Sequence, residues 1–100
     1  MTVETIPSSA GSLALAARLD LTEAAALRQS LLDCCGRATT LDASGVTLLG
    51  GLCLQVLLSA GRDWQAMGLE LSICPRSAVF DAALSTFSVP LWRLESKAQS

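Results

Sequence analysis

Few side chains in this 100-residue chain can do chemistry, and histidine is not among them. The commonest general base and the commonest metal ligand are therefore both missing. Asp20 and Asp42 each close an apolar run, at the place where open α/β sheets put their ligands. Two carboxylates without a nucleophile, a base or a metal beside them do not make a catalytic centre, so the chain is not expected to be an enzyme. Asp20 reads instead as the residue that orders a turn into a helix. Cysteines stand at positions 34, 35, 53 and 74 and form no Cys-x-x-Cys pair. Adjacent Cys34 and Cys35 suit a structural zinc site poorly, and no metal or cofactor is expected. The four read as reduced, buried, small hydrophobes of a cytoplasmic protein. Gly50-Gly51 at a helix start offers backbone amides to an anion. Leu52 and Cys53 follow, however, where a phosphate-binding loop needs Lys and then Ser or Thr. Cys53 in the first helical turn is expected to be a buried, inert thiol.

Asp42, Gly50, Gly51, Leu52 and Cys53 lie in one stretch, LDASGVTLLGGLCLQVLLSA, from Leu41 to Ala60. No charge occurs from Ala43 to Gly61, which makes the stretch either the centre of a small core or a membrane span. Ser44, Thr47, Gln55, Ser59 and four glycines interrupt it, and a span would deprive the rest of the chain of its central element. The core reading is preferred. The N-terminal MTVETIPSSAGS has neither a basic nor an apolar region of the kind a signal peptide needs. The net charge is −2 with scattered Lys and Arg, which excludes an electrostatic footprint for nucleic acid.

The elements alternate. Thr2 to Ile6 is a weak first strand, Pro7 to Gly11 a turn, and Ser12 to Ala17 a strand by alternation. A helix capped by Thr22 runs to about Cys35 and stops at Gly36, with Ala24, Leu27, Leu31 and Cys34 inward. Thr39 to Ala43 reads as a central parallel strand. The next helix runs from about Gly50 to before Gly68. Leu69 to Cys74 is a strand broken by Pro75, and Ser77 caps a helix with Phe80, Ala83, Leu84 and Phe87 on one face. Leu91 to Leu94 is a last strand or a docked tail. The expectation is one α/β domain over residues 1–94, with a mixed sheet of four or five strands and three to four helices. Residues 95–100 are expected to be a polar tail.

On a helix from residue 52 to 64, Leu54, Leu57, Leu58 and Gly61 face the sheet. Leu52, Gln55, Val56, Ser59 and Asp63 share the opposite face, where two apolar side chains one turn apart suggest a surface for docking another protein.

In order and spacing, RLDLTEAAALRQSLL, LDASGVTLLGGLCLQVLL and LELSICPRSAVFDAALSTF together resemble the STAS domain family, over Ser12 to about Phe87. The resemblance implies a small STAS-like fold and a protein-interaction module. It also implies a partner surface at Asp20, Ser44, Thr47, Gly50, Gly51, Leu52, Gln55, Val56 and Ser59. In phosphoregulated members the loop reads Asp-Ser-Ser-Gly-Leu, and its second hydroxyl is phosphorylated. Those positions here are Gly50 to Leu54. Leu52 takes the acceptor's place, so no phosphorylation is expected there, and Ser44 is only a weak substitute. The implied function is that of an anti-sigma factor antagonist or a chemotaxis-associated member. Its partner would be an anti-sigma factor or another histidine-kinase-type ATPase, with a second copy of the chain also considered. The alternative is a STAS-like subunit on an ABC-transporter ATPase in lipid trafficking. Neither reading needs nucleic acid or membrane insertion.

Overall fold

A computed structural model describes residues 10–97. Five strands occur among them: β1 (Ala10–Ala14), β2 (Arg18–Leu19), β3 (Ala38–Ala43), β4 (Leu48–Leu49) and β5 (Leu71–Arg76). Three α-helices connect them: α1 (Ala24–Asp33), α2 (Gly51–Met67) and α3 (Ala78–Thr86). The sheet order is β1-β3-β5 with both pairings parallel, and β2 pairs with β4, also in parallel. One antiparallel bridge, Leu71 to Ser96, makes the sheet mixed. The architecture is the small α/β fold expected from the alternation of elements.

Thr39, Leu41 and Ala43 of β3 are buried, as are Leu71 and Ile73 of β5, whereas Thr40 and Cys74 are exposed. The strands therefore alternate, because the buried side chains gather on one face. Leu27 and Leu31 of α1, Leu54, Leu57 and Trp64 of α2, and Phe80 and Leu84 of α3 join them in a single core. Trp64 also donates its indole N–H to the Arg37 carbonyl at 2.7 Å, so its polar edge is satisfied inside.

Several boundaries differ from expectation. The strand expected over Ser12 to Ala17 stops at Ala14: Leu15 still donates to the Asp42 carbonyl, and the chain pairs again only at Arg18, now with β4. Asp20, not Thr22, caps the entry to α1, accepting from the Thr22 amide at 3.0 Å, and a 3-10 turn at Leu21–Glu23 precedes the helix. β5 continues through Pro75 to Arg76 because its pairing with β3 slips between Leu41 and Ala43, where proline's missing N–H leaves no gap in the ladder. Phe87, expected on the buried face of α3, is 43% exposed at its C-terminal end. Of the two alternatives for Leu91 to Leu94 the strand does not form: Leu91–Arg93 is a 3-10 turn, and buried Leu94 docks it on the core. Glu95 and Ser96, expected in a polar tail, lie on the sheet: the Glu95 carboxylate accepts from the Ile73 amide at 2.9 Å, and Ser96 exchanges backbone bonds with Leu71. Of the four cysteines, Cys34 and Cys53 are buried, Cys35 and Cys74 are exposed, and all are free thiols. The strand expected at Thr2 to Ile6 lies outside the described residues. Among the described residues, no helix is long and apolar enough to cross a membrane.

Candidate functional site

The loop into α2 is built on close backbone approach. Gly50 donates to the Leu19 carbonyl at 2.9 Å, and a Cβ at position 50 would sit 3.3 Å from that same oxygen. Gly50 is also the extended N-cap of α2 and provides no side-chain cap. A Cβ on Gly51 would meet the Phe87 ring at 3.6 Å, an ordinary contact. Leu52 follows in the first turn and is 44% exposed. Cys53 turns inward, where its thiol donates to the Asp20 carbonyl at 3.3 Å. Burial, and then the charges of Asp20 and Glu23, push that thiol up from its ordinary value. It is a structural sulfur, as expected.

Both carboxylates at the strand ends are occupied. Asp20 accepts from the hydroxyl and amide of Thr22 and lies 3.8 Å from Arg18. The Thr22 hydroxyl leads in lowering its pKa. Asp42 accepts from the hydroxyl of Ser44 at 2.7 Å and from its amide at 2.9 Å, and these bonds lower its pKa too. Two carboxylates held ionised in turns anchor the backbone and carry no proton near neutral pH. No group of three or more His, Cys, Asp or Glu side chains able to hold a metal occurs among the described residues.

The structure sorts the expected surface residues into three places. Asp20, Gly50, Gly51 and Leu52 meet at the start of α2, where Gly50 lies against Leu19 and Asp20. Leu52, Gln55, Val56 and Ser59 line a groove of about 280 Å³ between α1 and α2, together with Asp63. Ser44 and Thr47 stand apart in the loop after β3, Ser44 on Asp42 and Thr47 on the Ala17 carbonyl at 3.1 Å. That loop is tied to the start of α3, since Ser77 donates to the Val46 carbonyl.

Sequence reasoning missed the opposite wall of the groove. Arg28, Leu32 and Cys35 of α1 and the turn after it provide that wall. The signal was Leu32, which falls about 100° round the helix from Leu31 and off the stripe of Ala24, Leu27, Leu31 and Cys34. Leu31 is buried and Leu32 is 52% exposed.

Residues 3–89 match the sequence model of the family described as Mlab, STAS domain. The chain belongs to the STAS domain family. STAS domains are regulatory protein-interaction modules. No curated protein and no solved structure matches the chain. In this STAS domain Gly50, Gly51 and Leu52 form the entry to α2.

Proposed function

We propose that the chain is a constitutive docking module for an ATPase-type protein partner in the cytoplasm. The partner is a histidine-kinase-type ATPase of the kind engaged by anti-sigma factor antagonists or by chemotaxis-associated members. Asp20, Gly50, Gly51, Leu52, Gln55, Val56 and Ser59 make the contact, with Ser44 and Thr47 at its edge. Leu52 carries the reading. It is part-exposed at the head of α2, where a phosphate would add nearly two negative charges and expel a partner. Leucine cannot be switched in this way and adds apolar area instead.

The same leucine favours a second reading, a STAS-like subunit held permanently on an ABC-transporter ATPase, because a permanent subunit needs no release switch.

The test is a pull-down of candidate ATPases of both kinds with the wild-type chain and Leu52→Asp, folding being checked by circular dichroism. Burying the exposed part of Leu52 is worth about 1 kcal/mol, and a buried unpaired carboxylate costs a few kcal/mol more. Leu52→Asp is therefore expected to weaken capture by at least about a hundredfold. Unchanged capture by a folded mutant refutes the docking surface. Retention of one ATPase class and not the other decides between the two readings.

A further inference from the structure

We propose that the cleft between α2 and the Leu91–Arg93 turn is a docking site for an acidic segment of a protein partner. The cleft holds about 510 Å³, and Leu58, Arg62, Gln65, Trp92 and Arg93 line it along with Gln55 and Ser59. Trp92 is 73% exposed. Its platform is fixed on three sides. Leu94, two residues on, is fully buried. The Arg93–Leu94 backbone lies against Gly61 so closely that a Cβ there would come within 2.6 Å of the Arg93 carbonyl oxygen. Beyond it, Glu95 and Ser96 are hydrogen-bonded to β5. An indole displayed on an ordered turn loses little freedom when a partner covers it.

The charge of the cleft names the partner. The chain carries seven Lys and Arg against nine Asp and Glu, yet two of its arginines and no acid line this cleft. Neither Arg62 nor Arg93 makes an ion pair among the described residues. The acids beside these arginines in sequence are otherwise placed: Asp63 lines the groove on the other side of α2, and the Glu95 carboxylate accepts from the Ile73 amide. Guanidinium forks bind carboxylates in bidentate fashion. Trp and Arg are the residue types that anchor protein interfaces, and half-buried Leu58 gives the floor an apolar spot for an aliphatic side chain. A concave site with two cations on a net negative chain suits an acidic peptide better than an anionic membrane, which rewards larger basic clusters. The cleft shares Gln55 and Ser59 with the groove on the other side of α2, but the inference needs neither Leu52 nor an ATPase.

The test uses the full chain and a fluorescein-labelled peptide of repeating Glu-Leu-Asp, with a repeating Lys-Leu-Lys peptide and phosphatidylglycerol vesicles as parallel probes. The acidic peptide is expected to bind by anisotropy and to shift Trp92 emission, Trp64 being buried. The combined Arg62→Glu and Arg93→Glu variant is expected to weaken binding by at least about tenfold, and Trp92→Ala by a similar factor, with circular dichroism unchanged. Arg62→Gln provides a milder variant should the double reversal fail to fold. The proposal is overturned by no binding at millimolar peptide, by equal binding of the basic peptide, or by undiminished binding in a folded variant. An emission shift with vesicles alone also overturns it and assigns the cleft to lipid.

Discussion

Gly61→Ala is the sharpest test of how the C-terminal segment is held. In the interior of a helix this change ordinarily stabilises by about 1 kcal/mol, because alanine is the better helix former. Here the added methyl would lie 2.6 Å from the Arg93 carbonyl oxygen and 3.0 Å from the Leu94 carbonyl carbon and oxygen. These are backbone atoms and cannot rotate out of the way, so the Arg93–Leu94 segment must withdraw from α2. Overpacking of this kind costs about 1–3 kcal/mol. Withdrawal also loosens fully buried Leu94, whose burial is worth roughly 1.5–3 kcal/mol, and strains the Glu95 bond to the Ile73 amide, worth about 1 kcal/mol. Leu94 and the Glu95 bond are loosened rather than lost, so overpacking and loosening together cost about 3 kcal/mol; against a propensity gain of about 1 kcal/mol, the net loss is about 2 kcal/mol. For a domain of this size that lowers Tm by roughly 8–16 °C. Thermal unfolding followed by far-UV circular dichroism measures it, and faster hydrogen exchange at the Ile73 amide locates it. Gly51→Ala is the control, because its methyl would meet only the Phe87 ring at 3.6 Å, and no loss is expected. A Gly61→Ala chain as stable as wild type, with Ile73 still protected, would refute the close approach of α2 to this segment.

Ser77→Ala removes an acceptor from the Phe80 amide and a donor to the Val46 carbonyl. It is expected to cost about 2 kcal/mol in urea unfolding, more than an ordinary cap because the Val46 carbonyl loses its partner. Asp20 and Asp42 have pKa values lowered from 3.8, chiefly by the hydroxyls of Thr22 and Ser44. A depressed folded-state value means that their stabilisation is present above 3.8 and is lost as pH falls through the folded values. Carboxyl NMR titration should find both midpoints below 3.8, and Ser44→Ala should move the Asp42 midpoint up. Alkylation by iodoacetamide should reach exposed Cys35 and Cys74 well before Cys53, whose thiol is buried and shifted up. Mass spectrometry of the partly modified chain reads the order.

The order of elements was legible because its signals are local: the Ser77 cap, Gly68 past the end of α2, and apolar runs between turns. Leu54 and Leu57 on one side of α2, with Leu52, Val56 and Ser59 on the other, followed from helical spacing alone. What escaped depends on contacts between distant segments. Gly61 read as clearance for the sheet, but the segment it admits is Arg93–Leu94, some thirty positions downstream. Glu95 and Ser96 look like tail residues by polarity, yet β5 leaves an edge whose amide and carbonyl groups need partners, and these two residues provide them. The second wall of the groove escaped because helix spacing describes one helix at a time. Leu32 gains meaning only beside Val56 of α2.

The two glycines and the leucine at the head of α2 are better understood together than singly. A carboxylate at position 50 would need a Cβ 3.3 Å from the Leu19 carbonyl, closer than most side chains sit. Restoring a hydroxyl at Leu52 alone would therefore leave it without the acidic neighbour that the phosphoregulated pattern supplies. It would also remove apolar area from the groove that Leu52 shares with Val56 and Leu32. β2 lies close to α2 because Gly50 permits it, and Cys53 bonds to Asp20 across the same approach. Tight packing at position 50 and an apolar head at position 52 thus belong to one arrangement. An acid at position 50 would need the Leu19 carbonyl to give by a few tenths of an ångström as well as new side chains around it. That coupling supports the proposal that this surface stays competent to dock.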